Sequence, residues 1–188
     1  MSILKDDGSM NPATTAMLHA VSGVPVTLLE NRRVLPRRSN WLRFPWNSKR
    51  SGGGAFVLGQ RIRANGNLFG GTCTNDRALL FRLAHEVGHL THAAAFPYSA
   101  TGKFRYIMWS ASQYVTSYLR NGCDGYRRTH MEQEAETGRW VLRTFPAVHQ
   151  EPLALIDPVV ENKLTSVERM IRSLEAEIDD LHEHYPGW

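Results

Sequence analysis

The stretch "TNDRALLFRLAHEVGHLTHAAAF", residues 74–96, decides how the rest of the chain is read. Leu79 or Leu80, Leu83, Val87 and Leu90 recur at helical spacing, Thr74 or Asn75 can cap the start, and Phe96–Pro97 marks the end, so the spacing predicts an amphipathic helix. A helix turns about 100° per residue, which stacks His85 and His89 one turn apart on one face. Two imidazoles so placed can reach one metal ion at about 2 Å. Glu86 points to the side of the pair, where it ligates poorly but can take a proton from water at the metal. Zinc suits this donor set, because it accepts imidazole nitrogens and carboxylate oxygens and does no redox work. The chemistry expected is amide hydrolysis: zinc polarises the scissile carbonyl, and Glu86 deprotonates the water and later hands the proton to the leaving nitrogen. The competing reading of the same residues is a plain buried helix.

Two histidines leave zinc short of a ligand. A metzincin would continue HExxHxxGxxH, and here His92 and Ala95 occupy the glycine and third-histidine positions. His92 lies too far along the helix axis to share an ion with both earlier histidines, so it reads as an outer-layer or surface residue. The remaining source is a carboxylate from "HMEQEAETGRWVLRTF", residues 130–145, a predicted helix stopped before Pro146. Glu132 and Glu136 share a face one turn apart, whereas Glu134 points elsewhere. That makes Glu132 the expected third ligand and Glu136 the expected support for a histidine N–H. Ala135 and Gly138 would let this helix approach the HExxH helix closely.

Outward from these two helices the chain reads as α+β and mostly helical. Residues 1–10 read as a flexible leader, 11–150 as a metallopeptidase-like domain, and 151–188 as a C-terminal helix docked on it. Asn11 and Pro12 start a short helix over "NPATTAMLHAV". "VPVTLLEN" (24–31) and "AFVLGQRI" (55–62) read as two strands that pair in a small sheet packed on the HExxH helix. Residues 32–54, with "SGGG", read as an irregular connection and "NGNLFGG" as a turn. "FRYIMWSASQYVTSYLRNG" (104–122) reads as a helix. From Asp157–Pro158 onward Val160, Leu164, Val167, Ile171, Leu174, Ile178 and Leu181 form a heptad stripe, which suits either docking on the protein's own core or a dimer seam.

Composition bounds the function. The hydrophobic fraction of 42% is that of a folded domain. No apolar run is long enough to span a membrane, and the N-terminus lacks the pattern of a signal peptide. Nine basic and no acidic residues fall between Asn31 and Arg63, while seven acidic and three basic residues fall between Glu161 and Glu183. No nucleic-acid-binding motif accompanies the basic segment, so nucleic acid is not the expected partner. Cys73 and Cys123 lack zinc-site spacing; free thiols and a single disulfide both stay open.

"HEVGH" followed by "EQEAE" and "LRTFP" resembles the gluzincin pattern, HExxH plus a downstream glutamate helix, and is especially similar to the ImmA/IrrE group. The order of elements over residues 12–146 also resembles zinc metallopeptidase effector domains of bacterial secretion systems, including those fused to type VI spike proteins. Glu136 stands where Asp or Asn is usual, about forty residues separate His89 from Glu132, and no helix-turn-helix is visible. The resemblance implies zinc on His85, His89 and Glu132, with Glu86 catalytic. It implies a protein or peptide substrate, export into a target cell, a secretion spike protein and a cognate immunity protein as partners. It further implies an oxyanion stabiliser, for which Tyr106, Tyr126, Arg127, Arg128 and His130 are candidates. The alternatives are a cytoplasmic regulatory zincin that cleaves one partner protein, and a basic binding module with a structural or inactive zinc site.

Overall fold

A computed structural model of the chain describes residues 2–30, 32–37, 55–69, 72–149 and 152–187. Among these the architecture is α+β and mostly helical. The helices are α1 (Pro12–Ser22), α2 (Val26–Leu29), α3 (Cys73–Glu86), α4 (Gly88–Ala94), α5 (Ala100–Asn121), α6 (His130–His149), α7 (Pro152–Val160) and α8 (Leu164–Glu183). The strands are β1 (Arg33–Arg37), β2 (Phe56–Leu58) and β3 (Arg61–Asn65). Their order is β1-β3-β2, with β1 parallel and β2 antiparallel to the central β3. The sheet lies against α3 and α4, as the small sheet on the HExxH helix was expected to do.

The strands differ from those expected. Residues 24–31 do not form a strand: Pro25 starts the single turn α2, which ends at Leu29. The pairing strand is instead "RVLPR" at 33–37, inside the stretch expected to be irregular. It lies at an edge of the sheet, where Pro36 costs no ladder hydrogen bond to a second neighbour. "AFVLGQRI" is not one strand but a hairpin, turned at Gly59 with φ of 60°. The rest of the irregular connection, 38–54, and Gly70–Gly71 lie outside the described residues.

Residues 2–10, expected to be part of a flexible leader, pack against the rest of the chain. Ile3 and Met10 are buried in the core, and the chain reverses between them through Lys5–Ser9. Gly8 takes φ of 80°, and its carbonyl accepts from the Val34 N–H of β1 at 2.7 Å. At the other end the heptad stripe is split. α7 already runs through Asp157–Pro158 and ends at Val160, because Asn162 adopts a left-handed φ of 55°. The Asn162 side chain then accepts from the Ala13 N–H at the start of α1, 3.3 Å away. α8 carries the rest of the stripe, burying Val167 and Ile178 against α1 and α6, so it packs on this chain's own core.

α1 starts as its sequence implies: the Asn11 side chain accepts from Thr14 N–H at 2.7 Å, with Pro12 in the first turn. α3 is capped by Thr72, not by Thr74 or Asn75. α6 continues past Pro146 to His149; a proline removes one helical hydrogen bond and need not end the helix. α3, α4 and α6 form the centre of the molecule. A Cβ on Gly88 would stand 2.5 Å from Ala135 Cα, and one on Gly138 would stand 2.7 Å from the Ala84 carbonyl oxygen. The two helices run antiparallel at this close approach, with 84–88 facing 138–135 in reverse order.

Candidate metal centre

α3 carries His85 and Glu86 in its last turn, and α4 carries His89 one residue into the continuation beyond Val87. Val87 keeps helical φ and ψ, so the two histidines remain one turn apart despite the interruption. Their rings lie 5.1 Å apart, nearly perpendicular. The glycine–alanine contact of α4 with α6 brings Glu132 up to them. His85 Nε2 is 3.3 Å from Glu132 Oε2, and His89 Nε2 is 3.6 Å from Glu132 Oε1. All three side chains are buried, and one donor atom from each lies within 4.8 Å of the others. Glu132 Oε2 has no hydrogen-bond partner among the described residues. A buried carboxylate oxygen left this way, aimed at two imidazoles, fits a cation between them. The residues that can hold a metal ion are thus His85, His89 and Glu132, and they fit one by donor type, spacing and burial.

The other carboxylates separate as follows. Glu136 Oε2 meets His85 Nδ1 at 2.8 Å, and Arg139 Nε donates to Glu136 Oε1 at 2.7 Å. Arg139, Glu136 and His85 form a line that aims Nε2 at the metal position. Glu134 is exposed on the other side of α6, paired with His92 at 2.5 Å and with His130 at 3.4 Å. His92 therefore stands outside the donor set.

Burial and charge set the protonation of the four groups. Burial alone would strip the proton from His85, but the Glu132 and Glu136 carboxylates outweigh it and hold its pKa up at about 9. Burial wins at His89, whose pKa falls to about 4. Glu132 resists burial through His85, His89 and the Tyr114 hydroxyl, and its pKa drops to about 2. Glu86 is buried, and that burial pushes its pKa up to about 7.

Tyr114 is the residue that sequence reasoning missed. Its hydroxyl donates to Glu132 Oε1 from α5, and its ring stacks on Tyr126 at 5.7 Å. No motif marks it, because it reaches the site only through the way α5 lies on α6. Of the five oxyanion candidates, Tyr126 and Tyr106 are brought close enough for the Glu132 and Glu86 charges to raise their pKa values, behind burial as the main cause. Arg127, Arg128 and His130 are exposed. Cys123 is an exposed free thiol, and the Cys73 side chain lies outside the described residues. No helix among the described residues is long and apolar enough to cross a membrane. Comparison with protein-family models, with curated proteins and with solved structures returns no match.

Proposed function

We propose that this chain is a zinc-dependent peptidase, and that His85, His89 and Glu132 hold the ion. The observation that carries the reading is the buried His–His–Glu donor set with Glu86 directly beside it. Two bonds of about 2.0–2.1 Å at a tetrahedral angle place their donor atoms about 3.3 Å apart. The separations of 3.3 and 3.6 Å from Glu132 to the two imidazoles match that spacing. A bound zinc ion would supply Lewis acidity, polarising a carbonyl and making water easier to deprotonate.

The protein's own groups do the rest. Glu86 accepts the proton of the attacking water and returns it to the leaving nitrogen. A carboxylate whose pKa sits near 7 suits both halves of that transfer at neutral pH. Glu136 and Arg139 keep the His85 ring in place, and Tyr114 does the same for Glu132. Tyr106 keeps its proton because burial raises its pKa, so it supplies a neutral O–H donor for a developing oxyanion, whereas the Tyr126 hydroxyl is hydrogen-bonded to Glu132 and helps hold that carboxylate.

Metal analysis of the purified protein and the Glu86→Gln variant test the reading. The expected result is about one zinc per chain in both proteins, with hydrolysis of a protein substrate lowered by roughly 10²–10⁴ in the variant. A protein that takes up no zinc, or a Glu86→Gln variant with full activity, would overturn it. Action as a bacterial effector is proposed alongside, supported by the sequence pattern alone. A neighbouring spike or immunity gene is the observation that tests it.

A further inference from the structure

One turn and more from the metal position, α3 and α6 line a cleft of about 290 Å³ with Ala78, Phe81 and Arg82 on one side and Arg139 and Arg143 on the other. Its walls carry three guanidinium groups and no carboxylate. Arg139 is anchored by Glu136, with which it forms a two-point pair. Arg82 and Arg143 form no ion pair among the described residues, unlike Arg77, which pairs with Asp157, although the Arg82 charge reaches Glu86 one turn on and draws that carboxyl's pKa down. Glu136 balances the Arg139 charge, which leaves Arg82 and Arg143 as the two cations of the cleft not held in an ion pair, and a carboxylate entering between them offsets their mutual repulsion. The planar fork of arginine matches a carboxylate in two-point contact. Ala78 and Phe81 add an apolar wall for the methylene groups of a glutamate-like side chain.

The position of the cleft ties it to the reaction centre. Arg82 lies one turn before Glu86 on α3. Arg139 lies three residues after Glu136 and holds it against His85. Because α3 and α6 run antiparallel, Arg82 and Arg139 stand level with each other, and Ala78 and Arg143 stand one turn farther from the metal. The cleft thus lies along the two helices away from His85 and Glu132. Pockets that enclose a whole small ligand hold roughly 300–1,000 Å³, so this one suits a single side chain or chain end.

We propose that the Arg82–Arg139–Arg143 cleft binds a carboxylate of the substrate, so that the peptide bond offered to Glu86 belongs to an acidic peptide. The word substrate rests on the peptidase reading; the affinity of the cleft for a carboxylate does not.

The test uses the full chain loaded with zinc and three fluorescent peptides. One has blocked ends and a central glutamate, the second has glutamine instead, and the third has glutamine and a free C-terminal carboxylate. Binding is read by fluorescence polarisation. At least one carboxylate peptide should bind about 10-fold more tightly than the blocked glutamine peptide, with the advantage shrinking as salt is raised. The first arm identifies a side-chain carboxylate and the third a chain end. Arg82→Ala and Arg143→Ala together should remove the advantage, with zinc content and the circular dichroism spectrum unchanged. Arg143→Lys in place of Arg143→Ala should restore part of it. Equal binding of all three peptides, or a preference that survives the double variant, overturns the proposal. A preference that depends on the arginines, in a protein that cuts nothing, leaves the cleft standing and removes the peptidase reading. Hydrolysis lost in Glu86→Gln without any carboxylate preference does the reverse.

Discussion

A metal ion such as the proposed zinc must displace a proton to bind among His85, His89 and Glu132. His85 has to be neutral to offer Nε2, yet in the metal-free protein its pKa is held at about 9. At pH 7 only about 1% of the molecules then carry a neutral His85, which weakens apparent zinc affinity roughly 100-fold, or about 3 kcal/mol. The other two ligands contribute nothing to this. His89 at about 4 is already neutral, and Glu132 at about 2 is already ionised. Binding at pH 7 should therefore release about one proton from His85. Glu86, at about 7, adds up to roughly half a proton more, since a nearby cation favours its charged form. The logarithm of the affinity should rise by about one per pH unit from pH 7 and level off above pH 9. Calorimetry in buffers of different ionisation enthalpy counts the protons directly. Replacing Glu136 by Gln removes one of the two carboxylates that hold the His85 proton, and should lower the pH at which the curve levels off. A proton count near zero at pH 7, with affinity flat up to pH 9, would refute the view that Glu132 and Glu136 keep His85 charged.

Three further outcomes are expected. The metal-free protein should lose stability as pH rises from about 6.5 to 9. The folded-state pKa of His85 lies above its ordinary 6.5, so the stabilisation is complete below 6.5 and gone above about 9. That is worth about 3 kcal/mol, or roughly 10 °C in Tm read with chelator present; a flat Tm across this window contradicts it. Gly88→Ala should destabilise the fold by about 1–3 kcal/mol in denaturant titration. Adding Ala135→Gly should not rescue it, because the new methyl meets the Ala135 Cα and not only its side chain. Tyr114→Phe should keep the fold but weaken zinc binding about 10-fold, since Glu132 loses the hydroxyl that steadies Oε1; unchanged affinity in a competition assay would deny Tyr114 that role.

What could be read from the sequence was whatever depends on local periodicity. The one-turn spacing of His85 and His89, and of Glu132 and Glu136, places each pair on a helix face whatever the tertiary structure does. Helix boundaries moved where a cap or a single left-handed residue intervened, as at Thr72 and Asn162. The sheet was misplaced for a different reason. β-branched, apolar "VPVTLLEN" looks like a strand, but a proline-led turn of helix is what packs Leu29 into the core. The real edge strand hides behind two arginines and a proline, which half-solvated edges tolerate and composition rules penalise. Tyr114 and the arginine cleft depend on how α5 and α3 lie against α6. Such packing leaves no mark at a fixed spacing in a single sequence.

The reversal at residues 2–10 has a consequence for how the protein behaves in solution. β1 ends the sheet on its outer side, and an open strand edge offers its N–H groups to any extended chain that arrives. Here the Gly8 carbonyl already takes the Val34 N–H, and Ser9 bridges Arg33. A chain that lacks residues 1–9 would present that edge bare, and would lose the buried Ile3 as well. It should self-associate through strand pairing, with sedimentation showing dimers or larger species, while His85, His89 and Glu132, on α3, α4 and α6, stay where they are.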